Sequence, residues 1–179
     1  MTKKILLISL FFVSCKQEKQ ITNKKYFDLK GFSESIIAEL EIRKPEVIKV
    51  WQIGSLKETK SIKDIDWAKE LSLFVDADLN KSAFVNSYSI NESSKGINYK
   101  LKPTESLLVK SMKVENLEEK NSKLIIIETS TSNYLFKTNS KMMIKTKNGK
   151  LQEYSVYSIQ KLFLSKPDTS SIKGSTIDL

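Results

Sequence analysis

Apolar residues change their spacing about halfway along the chain, and the change separates two kinds of structure. Early on, Phe32, Ile36, Ile37 and Leu40 recur every three or four positions, the period of a helix with one buried face. Asp28 can cap its first turn, Ser33, Glu34, Glu39 and Glu41 fill the other face, and Gly31 weakens the first turn slightly. Pro45 stops it, because the residue before a proline is pushed out of the helical region. The spacing predicts a helix over Leu29–Arg43. Val47–Ile53, rich in β-branched residues and carrying Trp51, reads as a strand. Gly54-Ser55 supplies a turn, and Lys57–Ile62 pairs back as a polar edge strand whose lysines discourage pairing with other chains. A second helix is expected over Ile65–Asp76, capped by Asp64 or Asp66, with Trp67, Leu71, Phe74 and Val75 on one face. The run Asp76–Lys81 then opens a loop.

From Ser87 the period becomes two. Ile97, Tyr99 and Leu101 alternate with polar residues, as in a strand with one face on a core. Leu107–Glu115 switches parity between Leu107/Val109 and Met112/Val114, which predicts a bulge near Lys110–Ser111. Leu124–Ile127 is apolar on both faces and reads as a central strand covered on both sides, and Tyr134–Thr138 continues the meander. Asn148-Gly149 tolerates the positive φ of a two-residue hairpin turn, joining Met142–Lys147 to Leu151–Phe163. The latter changes parity between Val156 and Tyr157, a second candidate bulge. Ile172 and Ile177, beyond Pro167, either add a last edge strand or fray. The expected fold is α+β: two N-terminal helices and a small hairpin packed on a curved antiparallel sheet of about six strands, a meander that is open and barrel-like. Sequential hairpins exclude a parallel sheet, which needs long crossovers.

The N-terminus carries a different signal. Lys3 and Lys4 precede the apolar run Ile5–Val13, and Ser14 comes directly before Cys15, the sole cysteine. That order marks a secretory leader, since a membrane span needs roughly 20 apolar residues. Phe12-Val13-Ser14-Cys15 resembles the lipobox of bacterial lipoproteins, with Phe12 where that family usually has leucine. The resemblance implies cleavage before Cys15, acyl chains on Cys15 and anchoring to a bacterial membrane. Each buried methylene of such chains contributes about 0.8 kcal/mol. The implied organisation is a signal peptide (1–14), a lipidated polar tether (15–25), one α+β domain (26–165) and a C-terminal tail (166–179). Lys16 is not aspartate, so the tether differs from the inner-membrane retention signal of enterobacterial lipoproteins, which points to the outer membrane. A lysine followed by Glu18 loosely resembles the export signals of surface lipoproteins in the Bacteroidetes phylum. The chain is also similar in character to that phylum's small uncharacterised lipoproteins.

Composition narrows the chemistry. The formal charge is +9, or +7 without Lys3 and Lys4, but the lysines are scattered among glutamates and form no stripe for nucleic acid. There is no histidine, which removes the commonest general base, the usual serine and cysteine triads and most catalytic zinc sites. Five scattered glycines form no phosphate-binding loop. Asp64, Asp66, Asp76 and Asp78 bracket the second helix, where capping and a solvated loop are the ordinary roles. A carboxylate pair of glycosidase type is not restricted by sequence spacing. No cofactor, metal or enzymatic activity is expected.

The aromatics offer the remaining candidate. Trp51, Trp67, Tyr99, Tyr134 and Phe136 either line a cavity for an apolar ligand or fill the core. The expected layout looks like the unclosed barrel with helices of the periplasmic lipoprotein-carrier family, which implies a lipid or other apolar ligand by analogy. The alternative is a surface that binds another envelope protein, in assembly or immunity. A hydrolase of envelope polymer would need clustered carboxylates in a cleft.

Overall fold

The computed structural model describes residues 24–177, so the leader, Cys15 and most of the tether lie outside the described residues. Helix α1 spans Leu29–Arg43. The Asp28 carboxylate accepts the Gly31 N–H at 2.9 Å, and Lys44 closes the helix in a left-handed conformation at φ 44°. Strands β1 (Glu46–Ile53) and β2 (Leu56–Ile62) follow, joined at Gly54 with φ 56°.

The second predicted helix is two short ones, α2 (Trp67–Glu70) and α3 (Ser72–Asp76), broken at Leu71. The Phe74 N–H reaches the Leu71 C=O at 3.0 Å, a tighter turn than an α-helix makes. Trp67, Leu71 and Phe74 are all buried, while Val75 stays half-buried. A 3-10 turn (Ser82–Phe84) precedes seven strands: β3 (Tyr88–Ser93), β4 (Gly96–Leu101), β5 (Val109–Asn116), β6 (Lys123–Ser132), β7 (Phe136–Lys147), β8 (Lys150–Leu162) and β9 (Asp168–Ile177).

All nine strands form one open antiparallel sheet in the order β2-β1-β9-β8-β7-β6-β5-β4-β3. This corrects the expectation of about six strands with a separate hairpin packed on them. The tail assigned to residues 166–179 contains β9, which lies inside the sheet and joins the β1–β2 hairpin to the meander. The predicted strands Tyr134–Thr138 and Met142–Lys147 are parts of β7, and Tyr134 lies in the turn before it. The bulge predicted near Lys110–Ser111 is present as a register shift between Val109 and Ser111. The second irregularity falls instead opposite Lys145/Thr146, where Gln152 is extra, and the pairing at Val156 and Tyr157 is regular. On β6 only Ile125 and Ile127 are buried; Leu124 and Ile126 are half-buried, so the strand is fully covered on one face.

Register arranges the helix-covered face in rows across the strands. One row reads Trp51, Ile172, Val156, Met142, Ile127, Met112, Tyr99 and Ile90, apolar across eight neighbouring strands. The next row reads Lys49, Gly174, Tyr154, Ile144, Ile125, Val114 and Ile97. The helices pack over these rows: α1 meets α2, α3 and β8, and Trp67 meets Tyr154 edge-on at 6.3 Å between ring centroids. On the other side of the apolar row, Ser170, Ser158, Ser140 and Thr129 line up, with the Ser140 and Ser158 hydroxyls 2.8 Å apart.

Tyr26 and Phe27 fasten the chain entering α1. The Phe27 N–H donates to the Tyr99 hydroxyl at 3.0 Å, and the Tyr26 hydroxyl donates to the Val85 C=O at 2.8 Å. Among the described residues, the fully covered core residues lie between Tyr26 and Tyr154.

Gly174 sits against the face of this core. A Cβ there would overlap the Tyr154 ring. Gly174→Ala is expected to cost about 1–3 kcal/mol through forced repacking, read from the urea midpoint. Gly149→Ala, in an open turn at φ 79°, tests backbone strain alone and should cost about 1 kcal/mol or less.

Candidate functional site

The five candidate aromatics do not line one cavity. Trp67 and Tyr99 are core residues, 1% and 3% exposed. Trp51 is half-buried on the helix-covered face, Phe136 is half-buried at the start of β7, and Tyr134 projects into solvent from a turn. Tyr26 fills the space a ligand would need beside Tyr99, meeting the Tyr88 and Tyr99 rings edge-on at 5.7 and 5.6 Å.

A buried charged junction joins helix to sheet. The Lys49 ammonium lies 2.8 Å from the Glu70 carboxylate and 5.0 Å from the centre of the Trp51 ring. The Tyr154 hydroxyl donates to the other Glu70 oxygen. Burial raises the Tyr154 phenol well above the ordinary tyrosine value, and the Glu70 charge adds to the effect. Burial likewise raises Tyr88 to about 12, where its hydroxyl donates to the Val109 C=O at 2.9 Å. Each oxygen of the Glu70 carboxylate is engaged by a neighbour within the fold, so the arrangement reads as a clamp holding α2 on β1 and β8.

The four predicted acids stay apart in role. Asp66 caps α2 by accepting the Lys69 N–H at 3.0 Å, and Asp78 accepts the Asn80 N–H at 3.1 Å. Among the described residues, no three His, Cys, Asp or Glu side chains converge as metal ligands.

The feature that sequence spacing missed is at one end of the sheet. Antiparallel pairing puts the β1–β2, β4–β5, β6–β7 and β8–β9 connections together there. Ile53, Leu56, Leu108, Tyr134, Leu135, Leu162, Phe163 and Leu164 are all exposed at this end. Among the described residues, none of the exposed large apolar side chains lies in the turns at the opposite end. The β6–β7 and β8–β9 turns touch: the Phe163 N–H donates to the Leu135 C=O at 2.8 Å. A shallow groove of about 220 Å³ runs between them, lined by Tyr134, Leu135, Phe136, Leu162 and Phe163 with Lys137 and Lys161. The available signal is the absence of alternation in Tyr134-Leu135-Phe136 and Leu162-Phe163-Leu164, short apolar runs at the ends of strands.

Comparison of the chain with protein families, with curated proteins and with solved structures returns no match.

Two outcomes test the clamp and the buried tyrosines. Glu70→Ala strands a buried ammonium and should destabilise by about 3–5 kcal/mol in urea unfolding, while Lys49→Met with Glu70→Leu recovers most of the loss. Tyr88 is raised in the folded chain, so its stabilising effect is complete below the unfolded value near 10 and is lost as pH climbs through about 12. Absorbance titration should find Tyr88 and Tyr154 ionising only together with unfolding.

Proposed function

We propose that this chain is a non-enzymatic bacterial envelope lipoprotein domain, anchored by acyl chains on Cys15, that works through an exposed apolar surface at one end of its sheet. The observation that carries this reading is the segregation of apolar side chains. The interior is filled, and eight of the fifteen exposed large apolar side chains among the described residues are gathered at one end, a concentration that monomers seldom carry without use. The lipobox pattern at Phe12–Cys15 supplies the anchor, and the absence of histidine from the whole sequence argues against the commonest hydrolytic sites.

The carrier-like reading, with a curved barrel-like wall and an apolar ligand under the helices, ranks second. Its ligand would have to displace Trp67, Leu71, Phe74 and Tyr154, which already occupy that space.

Radiolabelled palmitate fed to growing cells should label the wild-type protein and leave Cys15→Ser unlabelled; an unlabelled wild type removes the anchor. A photo-reactive residue at position 163 should give adducts in intact cells, whereas one at position 149, in the opposite end's turn, should not. Equal yields at the two positions would remove the working surface.

A further inference from the structure

We propose that the β6–β7 and β8–β9 turns form a membrane-docking tip that dips Tyr134, Leu135, Phe163 and Leu164 into the interfacial layer of an anionic bilayer. This rests on the surface reading above and names the partner of that surface. Three independent observations converge on a lipid surface.

Charge is the first. Residues 133–137 and 161–166 contain Lys137, Lys161 and Lys166 and no acid. Lys137 and Lys161 are direct cross-strand partners, and none of the three lysines is ion-paired among the described residues. Like charges directly opposite each other oppose sheet pairing, and a phosphate layer would relieve that repulsion. Lysine stems also let an apolar tip sink while the ammonium groups stay at headgroup level.

Backbone satisfaction is the second. Leaving water penalises unpaired N–H and C=O groups. At this tip the Asn133 carboxamide oxygen accepts the Leu135 and Phe136 N–H groups at 2.8 and 2.9 Å. The Asn133 N–H donates to the Phe136 C=O at 2.9 Å, and the Phe163 N–H to the Leu135 C=O at 2.8 Å. The side chains above them are nearly bare: Leu164 is 92% exposed, Tyr134 83% and Phe163 75%.

Position is the third. The first described residues, Lys24–Phe27, join the domain beside the start of β3 and the end of β4, at the same end of the sheet as the tip. Eight residues (16–23) separate Cys15 from Lys24, a reach of at most roughly 30 Å. A tether that short turns this end toward the bilayer that holds the acyl chains.

The test uses the mature chain, residues 15–179 with Cys15→Ser, so that no acyl chain contributes. It should co-sediment with vesicles of phosphatidylcholine containing 30% phosphatidylglycerol, and at least tenfold less with phosphatidylcholine alone. Phe163→Glu with Leu164→Glu should weaken binding at least tenfold with an unchanged circular dichroism spectrum. Lys137→Gln, Lys161→Gln and Lys166→Gln together should abolish the preference for the anionic vesicles and most of the sensitivity to salt. Anionic-vesicle binding that survives Phe163→Glu/Leu164→Glu overturns the tip. So does a wild type that binds no vesicle, or a photo-adduct at 163 that is protein and not lipid; either leaves the anchored surface reading standing. Failure of palmitate labelling, by contrast, removes the anchor and leaves the vesicle result to stand by itself.

Discussion

The pairing of β9 with both β8 and β1 is the constraint on which the rest of the molecule depends. Without it the β1–β2 hairpin has only α1 and the chain through α2 and α3 to hold it, and a two-stranded hairpin is marginal in water. With it, one ladder runs from β2 to β3, and the row Lys49–Gly174–Tyr154 crosses the junction in register. Gly174 leaves room for the Tyr154 ring to lie over the backbone of β9. Tyr154 then reaches Glu70, Glu70 reaches Lys49, and the helices are fixed over the sheet at that row. A slip of one residue on β9 would turn its core-facing positions to the opposite face and break every one of these contacts.

Coverage then follows from size. Helix α1, with 15 residues, is about 22 Å long, whereas nine strands at about 4.8 Å spacing are roughly 40 Å across. The helices protect the rows around Tyr154 and Tyr99 and stop there. Beyond the apolar row the exposed part of the same face carries Ser170, Ser158, Ser140 and Thr129, which satisfy one another or face water. Past these hydroxyls the chain becomes apolar again at the turns. Buried base, hydroxyl band and apolar end therefore succeed one another along β7 and β8, and the last of these cannot be an extension of the core.

Much of this order was legible in the sequence where a local rule acts alone. The Asp28 cap and Pro45 stop bound α1, the Asn148-Gly149 turn joins β7 to β8, and the parity switch around Lys110 marks a real register shift. The misses share a different cause. β9 is rich in serine and threonine because part of it faces water, so its hydrophobic pattern is faint; what holds it is backbone pairing on both sides, which composition does not reveal. The break at Leu71 is a tertiary effect, set by the need to bury Trp67, Leu71 and Phe74 together. The parity change at Tyr157 misled because the strand there leaves the covered region: Tyr157, Ile159 and Leu162 are apolar yet exposed.

The same logic separates stability from the exposed apolar end. Alternation tells which face of a strand meets a core, but it is silent about an apolar residue that meets no core at all. Tyr134, Phe163 and Leu164 contribute little to folding, because their area is not removed from water on folding. Natural surfaces would ordinarily replace them, since large bare side chains on adjoining turns invite association. Their retention beside Lys137, Lys161 and Lys166, where the Leu135, Phe136 and Phe163 N–H groups are already paired, is a cost that the proposed envelope surface at this end would offset. The clamp at Glu70 and the apolar end thus lie at opposite limits of the same strands, one spent on holding the fold and the other left free for contact.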